Sequence, residues 1–151
     1  MVCDDVDPFD ILLVEDNPGD IRLAREAFDD EQIETTLHVV GDGVAALDFI
    51  FQRNEYTHVP RPDLVLLDLN LPRKHGHEVL MAIHDEPKYR HIPTIVLSGS
   101  DVESDIRRSY DLCVNGYLTK PVDADEFLEM LRTFIRFWFS TIRSPGNYDR
   151  T

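Results

Sequence analysis

Cysteine is nearly absent: Cys3 and Cys113 are the only two in 151 residues. Two such residues provide neither a disulfide framework nor a metal-ligand spacing, so both read as ordinary residues of a reducing compartment and redox chemistry is not indicated. No uninterrupted apolar run approaches a membrane span, and Met1 to Asp10 is acidic where an export signal would be basic and then apolar. The expectation is a cytoplasmic protein that makes no use of a membrane. Lysine is scarce too, with Lys74, Lys88 and Lys120 set against twelve arginines, and all basic residues together number 15 against 29 acidic ones. A formal charge of -14 repels a phosphate backbone and speaks against nucleic-acid binding. Aspartate outnumbers glutamate 19 to 10, and the surface as a whole reads as salt-adapted, or halophilic, because concentrated salt screens such self-repulsion. Internal repeats and low-complexity tracts are missing as well.

What is present is 42% hydrophobic content, enough for one compact domain with a core. Short apolar runs at Ile11 to Val14, Leu37 to Val40, Leu64 to Leu67, Thr94 to Leu97 and Tyr117 to Leu118 are candidate strands. Between and after them lie segments of helical period, through Ile21, Ala24 and Phe28, Val44, Leu47 and Phe51, Val79, Leu80 and Ile83, Val102 and Ile106, and Asp125 to Ile142. Helix starts are marked by Asn17 before Pro18, by a capping-box pattern of Ser100 with Glu103, and by Asp123 with Glu126. Buried strands alternating with helices predict an α/β fold, a doubly wound five-stranded parallel sheet of flavodoxin-like order 2-1-3-4-5 with five helices. Two stretches depart from minimal units: a polar loop with two prolines at 52–62 and a frayed tail at 144–151.

In such a sheet, ligands sit beyond the carboxyl ends of the strands. Five polar residues fall there: Glu15 and Asp16 after the first strand, Asp68 after the third, Ser98 after the fourth and Lys120 after the fifth. Converging carboxylates repel unless a cation or a proton intervenes, so a divalent site is expected. Mg²⁺ suits it, since that ion accepts one or two carboxylates and binds phosphate oxygens. Asp68 is then the candidate nucleophile that forms an aspartyl phosphate, with Lys120 and the Ser98 hydroxyl holding phosphoryl oxygens.

The texts ILLVEDNP at 11–18, LVLLDLNLPRKHGHEVL at 64–80, IPTIVLSGS at 92–100 and GYLTKPV at 116–122 resemble the receiver domain of two-component response regulators, over about residues 9 to 140. The resemblance implies a receiver domain at 9–142, with short flexible termini at 1–8 and 143–151. It implies that Glu15, Asp16, Asp68 and the backbone carbonyl of Asn70 serve the metal, with Asp68 the phosphoacceptor. Ser98 stands at the hydroxyl switch position, where threonine is commoner, Tyr117 at the rotating aromatic position and Lys120 at the phosphate-binding position. A cis peptide before Pro121 would aim Lys120 inward, and Pro72 and Gly76 fit the loop after the phosphorylated strand. Lys74 and His75 depart from the methionine and aspartate often found there. The 64–80 text, the long segment before the third strand and the lack of an output domain resemble the small stand-alone regulators of phytochrome-type sensor kinases. The implied partners are a sensor histidine kinase, which donates the phosphoryl group, and an unknown downstream protein reached through the helix 4, strand 5 and helix 5 face. No enzymatic activity is implied beyond the protein's own phosphorylation and dephosphorylation.

Rival readings fare worse. A haloacid-dehalogenase-type phosphatase carries a D-x-D nucleophile on an early strand, whereas here Asp68, Leu69 and Asn70 follow the third. A binding module that no longer takes phosphate would have lost one of the key residues. A flavin site would need a phosphate-cradling loop where Glu15 and Asp16 stand. His75 and His77, two residues apart on a turn, are poor metal ligands and read with Arg73 and Lys74 as a basic rim. Finally, the last helix carries Phe127, Leu128, Met130, Leu131, Phe134, Ile135, Phe137, Trp138, Phe139 and Ile142, too much apolar surface for one buried stripe. At least one aromatic is expected outside the core, as part of a homodimer interface; the alternative is a helix end folded under the 52–62 loop.

Overall fold

The computed structural model describes residues 8–141. Apart from Pro8, the expected flexible termini lie outside these residues, as do Cys3, Ile142 and the 144–151 tail. Strands β1 (Phe9–Val14), β2 (Thr35–Val40), β3 (Leu64–Asp68), β4 (Thr94–Ser98) and β5 (Gly116–Thr119) alternate with helices α1 (Pro18–Asp30), α2 (Gly43–Ile50), α3 (Gly76–His84), α4 (Glu103–Asp111) and α5 (Ala124–Thr141). All pairings are parallel in the order β2-β1-β3-β4-β5, as expected. Strands extend past the apolar runs because parallel pairing continues through polar residues such as Thr35, Asp68 and Ser98.

The central strands are buried on both sides, and their alternation divides the core in two. Leu12, Val14, Val65, Leu67 and Val96 face Phe49 and Ile50 of α2 and Val79, Leu80 and Ile83 of α3. Ile11, Leu13, Leu64, Leu66 and Leu97 face Ala24, Ala27 and Phe28 of α1 and Phe127, Leu131 and Ile135 of α5. Inward β1 and β3 residues are almost all at 0–2% exposure, so neither layer tolerates a polar substitution.

Helix starts were only partly readable. Asn17 caps α1 through Gly19 and Asp20, with Pro18 in the first turn, and Asp123 accepts from the Glu126 N–H at 2.9 Å. The Ser100 and Glu103 box does not form. The residue preceding α4 is Val102, with no side-chain cap; the Ser100 hydroxyl accepts the Val102 N–H at 3.3 Å, ahead of the helix, and donates to Asp105 at 2.8 Å. The 52–62 segment is anchored rather than loose. Asn54–Tyr56 forms a 3₁₀ turn, the Gln52 amide donates to the Val59 carbonyl at 2.8 Å, and Phe51, Tyr56 and Val59 pack on the α2/α3 core.

Helix α5 lies on the opposite face, so its end is not folded under that segment. Trp138 is buried and its ring stacks on Phe134 at 5.7 Å, while Phe139 reaches Phe9 at 4.9 Å. Phe137 is the aromatic left outside, 53% exposed. Arg132 and Arg136 tie α5 to Asp30 and Glu31 at the end of α1. Cys113 is a free, exposed thiol after α4, and no helix of the described residues is long and apolar enough to cross a membrane.

Candidate functional site

The topology carries the five predicted polar residues to the carboxyl edge of the sheet. Carboxylate oxygens of Glu15, Asp16 and Asp68 lie within 4.8 Å of one another, the one such acidic or histidine cluster among the described residues. Glu15 and Asp68 are buried at 2% and 6% exposure while Asp16 is open to solvent, so the cluster has a closed floor and a wet mouth. An all-oxygen donor set of this size fits a hard divalent cation.

Both floor residues are held by hydrogen bonds, and of the two only Asp68 keeps one carboxylate oxygen outside them. Glu15 accepts the Asn17 N–H at 3.1 Å on one oxygen and the Lys120 ammonium at 2.6 Å on the other. Asp68 accepts the Asn70 N–H at 3.2 Å on Oδ1, leaving Oδ2 at 3.5 Å from Lys120 Nζ. Burial pushes the Glu15 carboxyl above its usual range, against the pull of Lys120. Burial likewise opposes the charge on Lys120, but the Glu15 bond and the Asp68 and Glu15 charges outweigh it and hold the ammonium more firmly protonated than usual.

Ser98 is fully buried; its hydroxyl accepts the Ser100 N–H at 3.1 Å and its carbonyl accepts the Lys120 N–H at 2.7 Å, joining β4 to the lysine. Tyr117 is half-buried and its hydroxyl donates to the Ser100 carbonyl at 2.8 Å, so the aromatic is both packed and tethered to the loop after β4. Asn70 is exposed at the mouth. Gly76 allows α3 to start against the site: its N–H donates to the Leu69 carbonyl at 2.9 Å, and an added Cβ would meet Leu69 Cα at 2.6 Å and the Asp68 carbonyl oxygen at 2.9 Å.

Two expectations need correction. Among the described residues there is no cis peptide, so the Lys120 to Pro121 bond is trans. With the Lys120 N–H on Ser98 and its ammonium on Glu15, the side chain already enters the pocket, and the intrinsic trans preference prevails. His77 does not belong to the basic rim. It is 2% exposed and bonded to the Ser109 hydroxyl of α4 at 3.1 Å, while His75 accepts the His77 N–H as the cap of α3. The rim proper is Arg73, in a left-handed conformation at φ 68° and paired with Asp42, and Lys74, paired with Glu78.

One site residue went unread in the sequence. Asp20, in the first turn of α1, accepts the Lys120 ammonium at 3.0 Å. An acidic residue in a first helical turn is favoured by the helix dipole anyway, so its type carries no signal of its own.

Comparison with known proteins agrees with this geometry. A family model described as the response regulator receiver domain matches residues 11–132. The response regulator Rcp1 of Synechocystis is 44% identical over 136 residues, covering 90% of this chain and 92% of that protein. The crystal structure of Mn²⁺-bound Rcp1 superposes with a TM-score of 0.88 at 43% identity, over 91% of this chain and 99% of that one. The phosphorylated cyanobacterial phytochrome response regulator RcpA gives the same TM-score, identity and coverage.

Proposed function

Because the chain belongs to the response regulator receiver family, we propose that its receiver domain, residues 9–142, takes a phosphoryl group on Asp68 from the phosphohistidine of a sensor histidine kinase. The observation that carries this reading is the inward Oδ2 of Asp68, 3.5 Å from the Lys120 ammonium and grouped with two further carboxylates. Nucleophile, cation site and phosphate-binding cation thus share one pocket.

In the transfer, the N–P bond to the kinase histidine breaks as a bond from phosphorus to Asp68 Oδ2 forms. Mg²⁺ held by Glu15, Asp16, Asp68 and the Asn70 carbonyl would supply the positive charge that a phosphoryl group needs among carboxylates. Lys120 takes one phosphoryl oxygen and the Ser98 hydroxyl donates to another while keeping its bond from Ser100. The protein catalyses only its own phosphorylation and hydrolysis, and needs no substrate pocket for a third molecule.

Drawing Ser98 toward the phosphoryl group pulls the loop to which Tyr117 is tethered, and the α4, β5 and α5 face changes for a downstream protein. A bias of about 1–3 kcal/mol is typical of such coupling. The relation to phytochrome regulators supports a phytochrome-type kinase as donor, and the composition supports a cytoplasmic, salt-adapted protein. An apolar groove of about 640 Å³ between the β5 edge and α5, rimmed by the exposed Phe137, supports a homodimer through this side.

Intact mass after incubation with acetyl phosphate and Mg²⁺ is the decisive test, with one phosphoryl gained by the wild type and none by Asp68→Asn. Equal gain in both would reject Asp68 as acceptor. Sedimentation of the wild type against a Phe137→Glu, Trp138→Glu double variant tests the dimer, which a monomeric wild type at tens of micromolar would refute. A flat melting temperature from low to molar KCl would dispose of the salt adaptation.

A further inference from the structure

We propose that Asp20 is a positioning residue for phosphoryl transfer, holding the Lys120 ammonium so that its free N–H faces Asp68; this rests on the reading of Asp68 as acceptor. An ammonium has three N–H donors. Those of Lys120 meet Glu15 at 2.6 Å and Asp20 at 3.0 Å, while Asp68 Oδ2, at 3.5 Å, is just short of a bond. Two donors are spent on bystander carboxylates, which leaves the third for Asp68 Oδ2, the oxygen on which the phosphoryl group forms. A lysine is otherwise a flexible point charge with no directional fork of its own. One carboxylate leaves it free to swing about that bond; two, on different elements, define where the third donor goes.

The local chain explains why Asp20 is available. At the third position of a helix an acidic side chain ordinarily reaches back to the N-cap N–H. Here the Asn17 N–H is taken by Glu15 at 3.1 Å, so the Asp20 carboxylate has no call on it and turns to Lys120. Its accessibility of 25%, against 12% for the Lys120 side chain, makes it the outer wall of the ammonium cage, as Glu15 is the inner one.

The test compares wild type, Asp20→Ala, Asp20→Asn and, as a charge control on the outer face of the same helix, Asp29→Asn. Phosphorylation by acetyl phosphate is followed at saturating Mg²⁺ alongside the side-chain ammonium signals of ¹⁵N-lysine protein, which has only Lys74, Lys88 and Lys120 to resolve. The expected result is an Asp20→Ala rate reduced about tenfold, partial recovery in Asp20→Asn, whose oxygen still accepts a bond, and a wild-type rate in Asp29→Asn. The Lys120 ammonium signal should be protected from water exchange in the wild type and lose that protection in Asp20→Ala, a change that general destabilisation of α1 would not produce without a matching fall in melting temperature. A wild-type or faster rate in Asp20→Ala, or a Lys120 signal equally protected in both, overturns the role of Asp20. Failure of the wild type itself to gain mass on Asp68 would instead remove the acceptor reading beneath it.

Discussion

Replacing Gly76 by alanine isolates one consequence of the way α3 abuts the site. No glycine among the described residues has a positive φ, so Gly76 is needed for space and not for an unusual backbone conformation. The added methyl would lie 2.6 Å from Leu69 Cα, 2.8 Å from Leu69 Cδ2 and 2.9 Å from the Asp68 carbonyl oxygen. Carbon atoms settle at about 3.5–4.0 Å, so the deficit is roughly 1 Å. Two of the three neighbours are backbone atoms of the strand end and cannot rotate aside. Alanine improves helix propensity by at most about 1 kcal/mol, less at a helix start, whereas overpacking costs about 1–3 kcal/mol. The clash should win, giving a loss of about 2 kcal/mol and a melting temperature lower by roughly 4–8 °C for a domain of this size. Because the relieving movement passes through Asp68 and Leu69, acetyl phosphate labelling should slow as well, by about tenfold. Gly41→Ala is the control, since nothing lies within 4 Å of its added methyl. Urea melts of both variants supply the measurement. A Gly76→Ala protein as stable as Gly41→Ala would refute the steric argument.

Further expectations concern the core, a buried histidine and the tyrosine tether. Burial above all, with the charges of Arg108 and His75, keeps the His77 pKa below its ordinary 6.5. The unfolded chain therefore takes up the proton first. The stability that His77 lends is complete above pH 6.5 and is lost as pH falls toward the depressed folded value, with a slope of at most about 1.4 kcal/mol per pH unit. Melts of wild type and His77→Leu between pH 7 and 5 should converge or cross in the variant's favour, and parallel curves would contradict the assignment. Ile135→Ala, at a fully buried position, should cost about 2–5 kcal/mol in urea melts, whereas Phe137→Ala, two residues on and exposed, should stay within about 0.5 kcal/mol for the monomer. Tyr117→Phe loses the bond to the Ser100 carbonyl and should destabilise by about 0.5–1.5 kcal/mol, with amide shifts in the loop after β4; unchanged spectra there would count against the tether.

The order of elements was legible in the sequence because apolar period is a local property: a buried parallel strand must read as a short apolar run, and a helix docked on it as a stripe. The same locality exposed Glu15, Asp16, Asp68, Ser98 and Lys120, each within two residues of the end of such a run, and the excess of aromatics in α5 that leaves Phe137 outside. Convergence was decided only in three dimensions. That Asp20 closes the cage around Lys120 depends on α1 and the β5 end meeting across 100 residues of chain. That His77 is a core residue depends on Ser109 arriving from α4. Side-chain competition escaped the pattern as well: the Ser100 hydroxyl could accept an N–H of the first turn of α4 or one ahead of the helix, and where the tethered loop holds it, it takes that of Val102. Periodicity specifies which face a residue presents, while the partner it finds there is set by the packing of elements distant in the chain.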